Sequence, residues 1–81
     1  MNKPPDKYAH VDLEAAGIPL KPGESWFLLR GKDLLTPMAM QDYADRLDSA
    51  GRTAMAEDVR MHSNAILAWQ RANPDYVKLP D

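Results

Sequence analysis

The chain contains no cysteine and only two histidines among its 81 residues. This excludes disulfide bonds and thiolate zinc sites, which often stabilise domains of this size. Two histidines give little basis for a structural metal, so we expect neither a metal nor a cofactor. Association with further copies of the chain is then the remaining source of stability, and the sequence predicts a homo-oligomer.

The sequence also lacks an excess of basic residues and any long apolar run. The net charge is −2 and the isoelectric point is about 5.6, which argues against duplex nucleic acid as a partner. No stretch approaches the roughly 18 apolar residues of a membrane span. The first ten residues have no apolar region typical of a signal peptide. We therefore expect a soluble, cytoplasmic protein that binds no membrane.

No catalytic constellation can be identified. Gly31-Lys32 resembles part of a phosphate-binding Walker A loop, but that motif needs glycine five residues earlier and serine or threonine after the lysine. Trp26 and Asp33 occupy those positions. The serines show no sequence pattern that would place one of them in a triad. The expectation is a protein that is not an enzyme and has no catalytic residues.

The residues that are present predict a mainly α protein of one domain, with an arm at residues 1–24 and a strand plus helical hairpin at 25–81. Proline keeps the preceding residue out of the α region, so the arm is expected to be extended. One turn at residues 12–16 should close at Gly17. For about the first eight residues, a disordered tail is the alternative.

A short β-strand is predicted at about residues 25–30, where aromatic and apolar residues follow the Pro22-Gly23 turn. A single strand leaves its backbone groups unpaired. It therefore has to pair either with the N-terminal arm or with the same strand of a second subunit.

An antiparallel αα-hairpin is predicted, with helices at about residues 37–50 and 54–72. Thr36-Pro37 is a typical helix start, Gly51 a typical stop, and Thr53 a second cap. Asn73-Pro74 should end the second helix. Helical spacing predicts that the inward residues of the first helix are Met40, Tyr43, Ala44 and Leu47.

The second helix carries an apolar stripe that two helices and one strand cannot cover fully. Together with the strand, this stripe is the predicted oligomer interface. Its residues are Phe27, Leu29, Met55, Val59, His62, Ile66 and Trp69.

A candidate ligand site lies at the turn before the first helix. Arginine presents a planar fork that suits phosphate or carboxylate, and free N–H groups at a helix start attract anions. A nearby aromatic ring would stack on a base. The predicted ligand-binding residues are Trp26, Arg30, Gly31, Lys32 and Asp33. The alternative is that Arg30 and Lys32 are plain surface charges.

The segment Phe27-Leu28-Leu29-Arg30-Gly31-Lys32-Asp33, followed by Pro37, Tyr43-Ala44, Gly51 and Trp69, resembles small uncharacterised accessory proteins of bacteriophages and prophages. The resemblance covers roughly residues 26–70. It implies a phage protein in the host cytoplasm, and small phage proteins often counter host defence. On this basis we expect a non-enzymatic binding protein that sequesters a small nucleotide-like anion. The alternative is an interaction module that inhibits or modulates a host protein.

Overall fold

A computed structural model describes residues 12–79 of the chain. Helix α1 runs from Thr36–Ser49 and helix α2 from Thr53–Ala72, and a short 3₁₀ turn follows at Pro74–Tyr76. The predicted helical hairpin, and with it the mainly α fold class, is confirmed. Neither helix within the described part of the chain is long and apolar enough to cross a bilayer.

The connection between α1 and α2 is a tight turn centred on Gly51. This glycine has φ of 80°, a left-handed conformation that costs other residues more than glycine. The Arg52 N–H donates to the carbonyl of Leu47 at 2.8 Å, and the Gly51 N–H donates to that of Asp48 at 3.0 Å. These bonds satisfy carbonyls at the end of α1, so the chain reverses within three residues.

Both predicted threonine caps are wrong. Leu35 occupies the N-cap of α1 and Arg52 that of α2, and neither helix start has a side-chain cap bond. Thr36 lies inside α1, where its hydroxyl donates to the Arg30 carbonyl at 2.7 Å. Thr36 therefore fastens the preceding loop to the helix.

The predicted strand at about 25–30 is not formed within residues 12–79. Residues 24–30 form no regular secondary structure, and the described residues contain one isolated parallel bridge, between Asp33 and Lys78. An aromatic and apolar composition favours a strand only if a partner supplies the hydrogen bonds. The predicted turn closing at Gly17 is present, whereas the arm's residues 1–11 lie outside the described residues.

The interface between the helices is built from small and polar side chains. Ala44 of α1 and Ala56 of α2 have no exposed surface. Ser63 and Gln70 are buried at seven-residue steps after Ala56, so this row faces α1 and the loop before it. No leucine, isoleucine, valine, methionine or aromatic side chain among the described residues is fully buried.

The predicted inward face of α1 is correct in part, because Ala44 is buried and Met40 and Leu47 are half-buried, but Tyr43 is exposed. In the α2 stripe, Val59 and Ile66 are half-buried, whereas Met55, His62 and Trp69 are exposed. The role of this stripe as an oligomer interface stays a prediction. Ser63 adds a specific bond, because its hydroxyl donates to the Pro37 carbonyl at 2.9 Å. This bond fixes which face of α2 meets the start of α1.

Candidate functional site

The loop before α1 lies against the last turns of α2, which extend beyond the start of α1. Gln70 holds the loop there. Its amide nitrogen donates to the Gly31 carbonyl at 2.9 Å and to the Asp33 carbonyl at 2.8 Å. Gln70 is 6% exposed, so these bonds are shielded from water and an unpaired carbonyl here would be costly.

The chain after α2 returns to the same loop. Asn73 ends the helix, and its side-chain nitrogen donates to the Trp69 carbonyl at 2.9 Å. Pro74 then begins the 3₁₀ turn. Beyond it, the Lys78 N–H donates to the Lys32 carbonyl at 3.1 Å, and the Leu34 N–H donates to the Lys78 carbonyl at 2.9 Å. The loop is thus fastened by α2 and by the C-terminal segment.

This return places Tyr76 against Trp69. The two ring centroids are 6.3 Å apart and the ring planes are inclined by 24°, an arrangement within the range of offset stacking. Both side chains remain exposed. The pair therefore offers aromatic surface to solvent beside the loop.

An open pocket of about 420 Å³ lies between the loop and this aromatic pair. We refer to it as the basic–aromatic pocket, and its lining residues are Arg30, Gly31, Lys32, Trp69 and Tyr76. The guanidinium and ammonium groups supply local positive charge in a chain of net charge −2. Two cations beside two stacked rings are suited to a ligand that is both anionic and planar.

Three of the five predicted ligand residues line this pocket, namely Arg30, Gly31 and Lys32. Asp33 is 5% exposed. Its backbone carbonyl accepts from Gln70 and from the Thr36 N–H, so the residue helps to shape the loop. Trp26 is half-buried and does not line the pocket.

Neither aromatic residue of the pocket is among the predicted ligand-binding residues. Trp69 was predicted at the oligomer interface. Tyr76 follows the Asn73-Pro74 helix stop closely enough to fold back over the last turn of α2, and that spacing is the signal that would have identified the pair. Among the described residues, no cluster of histidine, aspartate and glutamate has a geometry suited to a metal.

No protein-family model, curated protein or solved structure matches this chain.

Proposed function

We propose that the protein is a non-enzymatic binding protein that sequesters a small nucleotide-like anion in the basic–aromatic pocket. The supporting observation is the convergence of Arg30 and Lys32 with the stacked Trp69–Tyr76 pair around one opening. The loop that carries the two cations is held by buried hydrogen bonds from Gln70. It is therefore ordered before the ligand arrives, which lowers the entropic cost of binding.

Each half of the pocket recognises a different part of such a ligand. Arg30 binds phosphate oxygens through paired N–H groups, and Lys32 adds a point charge. A base stacks on the exposed aromatic surface, a contact worth about 1–3 kcal/mol. Because the pocket is open to solvent, salt screens the charged half. Binding should therefore weaken as the ionic strength rises.

The biological setting that we propose is phage counter-defence, in which the protein removes a nucleotide signal used by the host. The setting follows from the resemblance to phage accessory proteins, and the pocket supplies the chemistry that such a role requires. This setting is proposed by analogy with other small phage proteins, and the analogy assigns no role to any residue.

Four probes separate the two halves of the pocket by isothermal titration calorimetry at low salt. ATP and cyclic AMP carry both base and phosphate, adenosine carries the base alone, and inorganic triphosphate carries the charge alone. We expect the strongest binding for ATP, weaker binding for cyclic AMP, and a loss of at least about tenfold in affinity for adenosine and for triphosphate. Equal binding of triphosphate and ATP would contradict a role for the rings.

Variants then test whether the measured heat of binding comes from this pocket. Arg30→Ala and Tyr76→Ala should each weaken ATP binding about tenfold, whereas Arg46→Ala removes an exposed arginine on α1 and should leave binding unchanged. Circular dichroism of each variant checks that the helices are retained. If Arg30→Ala and Arg46→Ala weaken binding equally, the effect is non-specific charge and the proposed site is wrong.

A second candidate function is an interaction module that inhibits or modulates a host protein. Met38, Met55 and Met61 are exposed, and flexible methionines are common on surfaces that bind other proteins. This alternative predicts no response to any of the four probes. It also predicts a host protein that co-purifies at fixed stoichiometry and is lost in a Met55→Glu, Met61→Glu double variant.

A further inference from the structure

One wall of the basic–aromatic pocket belongs to the segment that follows α2. We call residues 74–79 the C-terminal strap, and they include Tyr76. Two backbone hydrogen bonds join the strap to the loop before α1: the Lys78 N–H donates to the Lys32 carbonyl at 3.1 Å, and the Lys78 carbonyl accepts from the Leu34 N–H at 2.9 Å. Lys32 itself lines the pocket. The contact that docks the strap therefore also completes the pocket.

The strap is held differently from the loop on which it docks. The bonds from Gln70 hold the loop from a buried side chain. None of the strap residues, all of which the structure describes, is buried, and Tyr76 is 66% exposed. Chain ends with exposed backbone hydrogen bonds and little burial open more readily than the centre of a domain. The strap can therefore detach while Gln70 keeps Arg30 and Lys32 in place.

Detachment removes one half of the aromatic surface and leaves the other. Trp69 belongs to α2 and stays beside the loop, whereas Tyr76 moves away with the strap. A ligand that stacks on Tyr76 and pairs with Arg30 and Lys32 bridges the strap and the loop. Such a ligand has more contacts in the docked state, so it shifts the strap towards that state.

We propose that the C-terminal strap is a movable wall of the pocket, which detaches without unfolding of the helices and is held closed by the bound nucleotide. The second half of this statement rests on the proposed function. Because the coupling is reciprocal, the hydrogen bonds that dock the strap also strengthen binding.

Hydrogen exchange of the full chain, followed by NMR without nucleotide, tests the movement. The reporters are the Lys78 and Leu34 N–H groups, since detachment breaks both of their bonds. Both should exchange at least about tenfold faster than the N–H groups in the middle of α2, which need the hairpin to unfold. Reporters that exchange as slowly as the middle of α2 would mean that the strap opens only with the whole fold, and the proposal would be wrong.

A pair of variants tests which bond holds the strap. Lys78→Pro removes the N–H that donates to the Lys32 carbonyl. Lys78→Ala is the matched control, because it changes the same side chain and keeps the N–H. The Leu34 N–H should exchange about fivefold faster in Lys78→Pro than in Lys78→Ala, with equal helix content by circular dichroism. Equal exchange rates in the two variants would contradict docking through this bond.

Addition of ATP tests whether the nucleotide holds the strap closed. At about one hundred times the Kd, exchange in the middle of α2 should slow about a hundredfold, because only the folded chain binds. The Lys78 and Leu34 reporters should slow by at least about tenfold. If α2 slows and the reporters do not, ATP binds without the strap and this proposal alone fails. If neither slows, ATP does not bind, and the proposed function fails together with closure by the ligand.

Discussion

The two ends of the helical hairpin are held together by different kinds of interaction. At the end where α1 joins α2, Arg60 pairs with Asp45 at 2.8 Å and Asp48 at 2.6 Å in contact with solvent. At the open end, Ser63 and Gln70 donate to backbone carbonyls away from solvent. One end thus has ion pairs that water and salt weaken, whereas the other has buried hydrogen bonds.

This difference indicates where the fold is vulnerable. Exposed ion pairs contribute little because water solvates the separated charges almost as well. A buried carbonyl that loses its donor remains desolvated and unpaired. Substitutions at the open end should therefore lower stability most, and the loop of the basic–aromatic pocket is held at the same end. Stability and binding should change together there.

The largest effect is expected for Gln70→Leu. The change keeps the size of the side chain but removes two hydrogen bonds. The Gly31 carbonyl loses its donor and the Asp33 carbonyl keeps only the Thr36 N–H, at a cost of about 2–4 kcal/mol. Urea denaturation measures the change in unfolding free energy. Gln41→Leu is the matched control, since Gln41 makes no side-chain bond recorded in the described residues, and it should change stability by less than about 0.5 kcal/mol. Equal effects for the two variants would contradict the comparison between the ends.

Ser63→Ala should follow, with a loss of about 1–2 kcal/mol from the buried Pro37 carbonyl that loses the hydroxyl. Ser49→Ala is its control. The Ser49 hydroxyl bonds the Asp45 carbonyl within α1 at 3.2 Å and is exposed, so its removal should be nearly neutral. A larger loss of stability for Ser49→Ala than for Ser63→Ala in the same denaturation assay would contradict the claim that the open end contributes more to stability.

Gly51→Ala tests the backbone at the joined end. Alanine at φ of 80° should cost about 1–2 kcal/mol. Gly31→Ala is the comparison, because a Cβ at Gly31 would lie at an ordinary 3.7 Å from Ile66 Cγ2 and φ there is not left-handed. Thermal unfolding should show a lower Tm for Gly51→Ala alone. A greater loss for Gly31→Ala would mean that the loop, not the turn, requires glycine.

Arg60→Gln should have the smallest effect. Hydrogen bonds to Asp45 and then Asp48 raise the pKa of the Arg60 guanidinium. A raised pKa gives stability that is present below the unfolded-state pKa and is lost only as pH rises through the still higher folded-state pKa. Arg60 titration therefore adds no pH dependence near neutrality, and salt is the useful variable. Going from about 0.05 to 1 M NaCl should narrow the Tm difference between wild type and Arg60→Gln. An unchanged difference would contradict screening of these pairs.

The hairpin could be predicted from the sequence because its signals are local. The helices begin and end at residues whose own backbone preferences start or stop a helix, namely Pro37, Gly51 and Asn73-Pro74. The facing residues could not be predicted as well, because burial depends on which surfaces meet. The apolar pattern of α1 favoured Tyr43 as well as Ala44, whereas the two helices meet at alanines and at a serine whose hydroxyl donates to a carbonyl of the other helix.

The three predicted site residues Arg30, Gly31 and Lys32 are adjacent in sequence, and all three line the pocket. The two aromatic rings beside them are not among the predicted ligand-binding residues. Trp26 is close to Arg30 in sequence and was predicted as the stacking surface, but it is Trp69 that the fold places beside the loop. The bonds from Gln70 that bring them together join residues far apart in the chain. No local pattern encodes such a pairing.

The most direct test of the central claim is the fluorescence of Trp69 during titration with ATP in a Trp26→Phe variant. This variant leaves Trp69 as the sole tryptophan, so the signal reports the basic–aromatic pocket alone. We expect saturable quenching that weakens with added salt and is lost when Arg30→Ala is introduced. Quenching that is absent, or that survives Arg30→Ala unchanged, would contradict the proposal that this pocket binds a nucleotide-like anion.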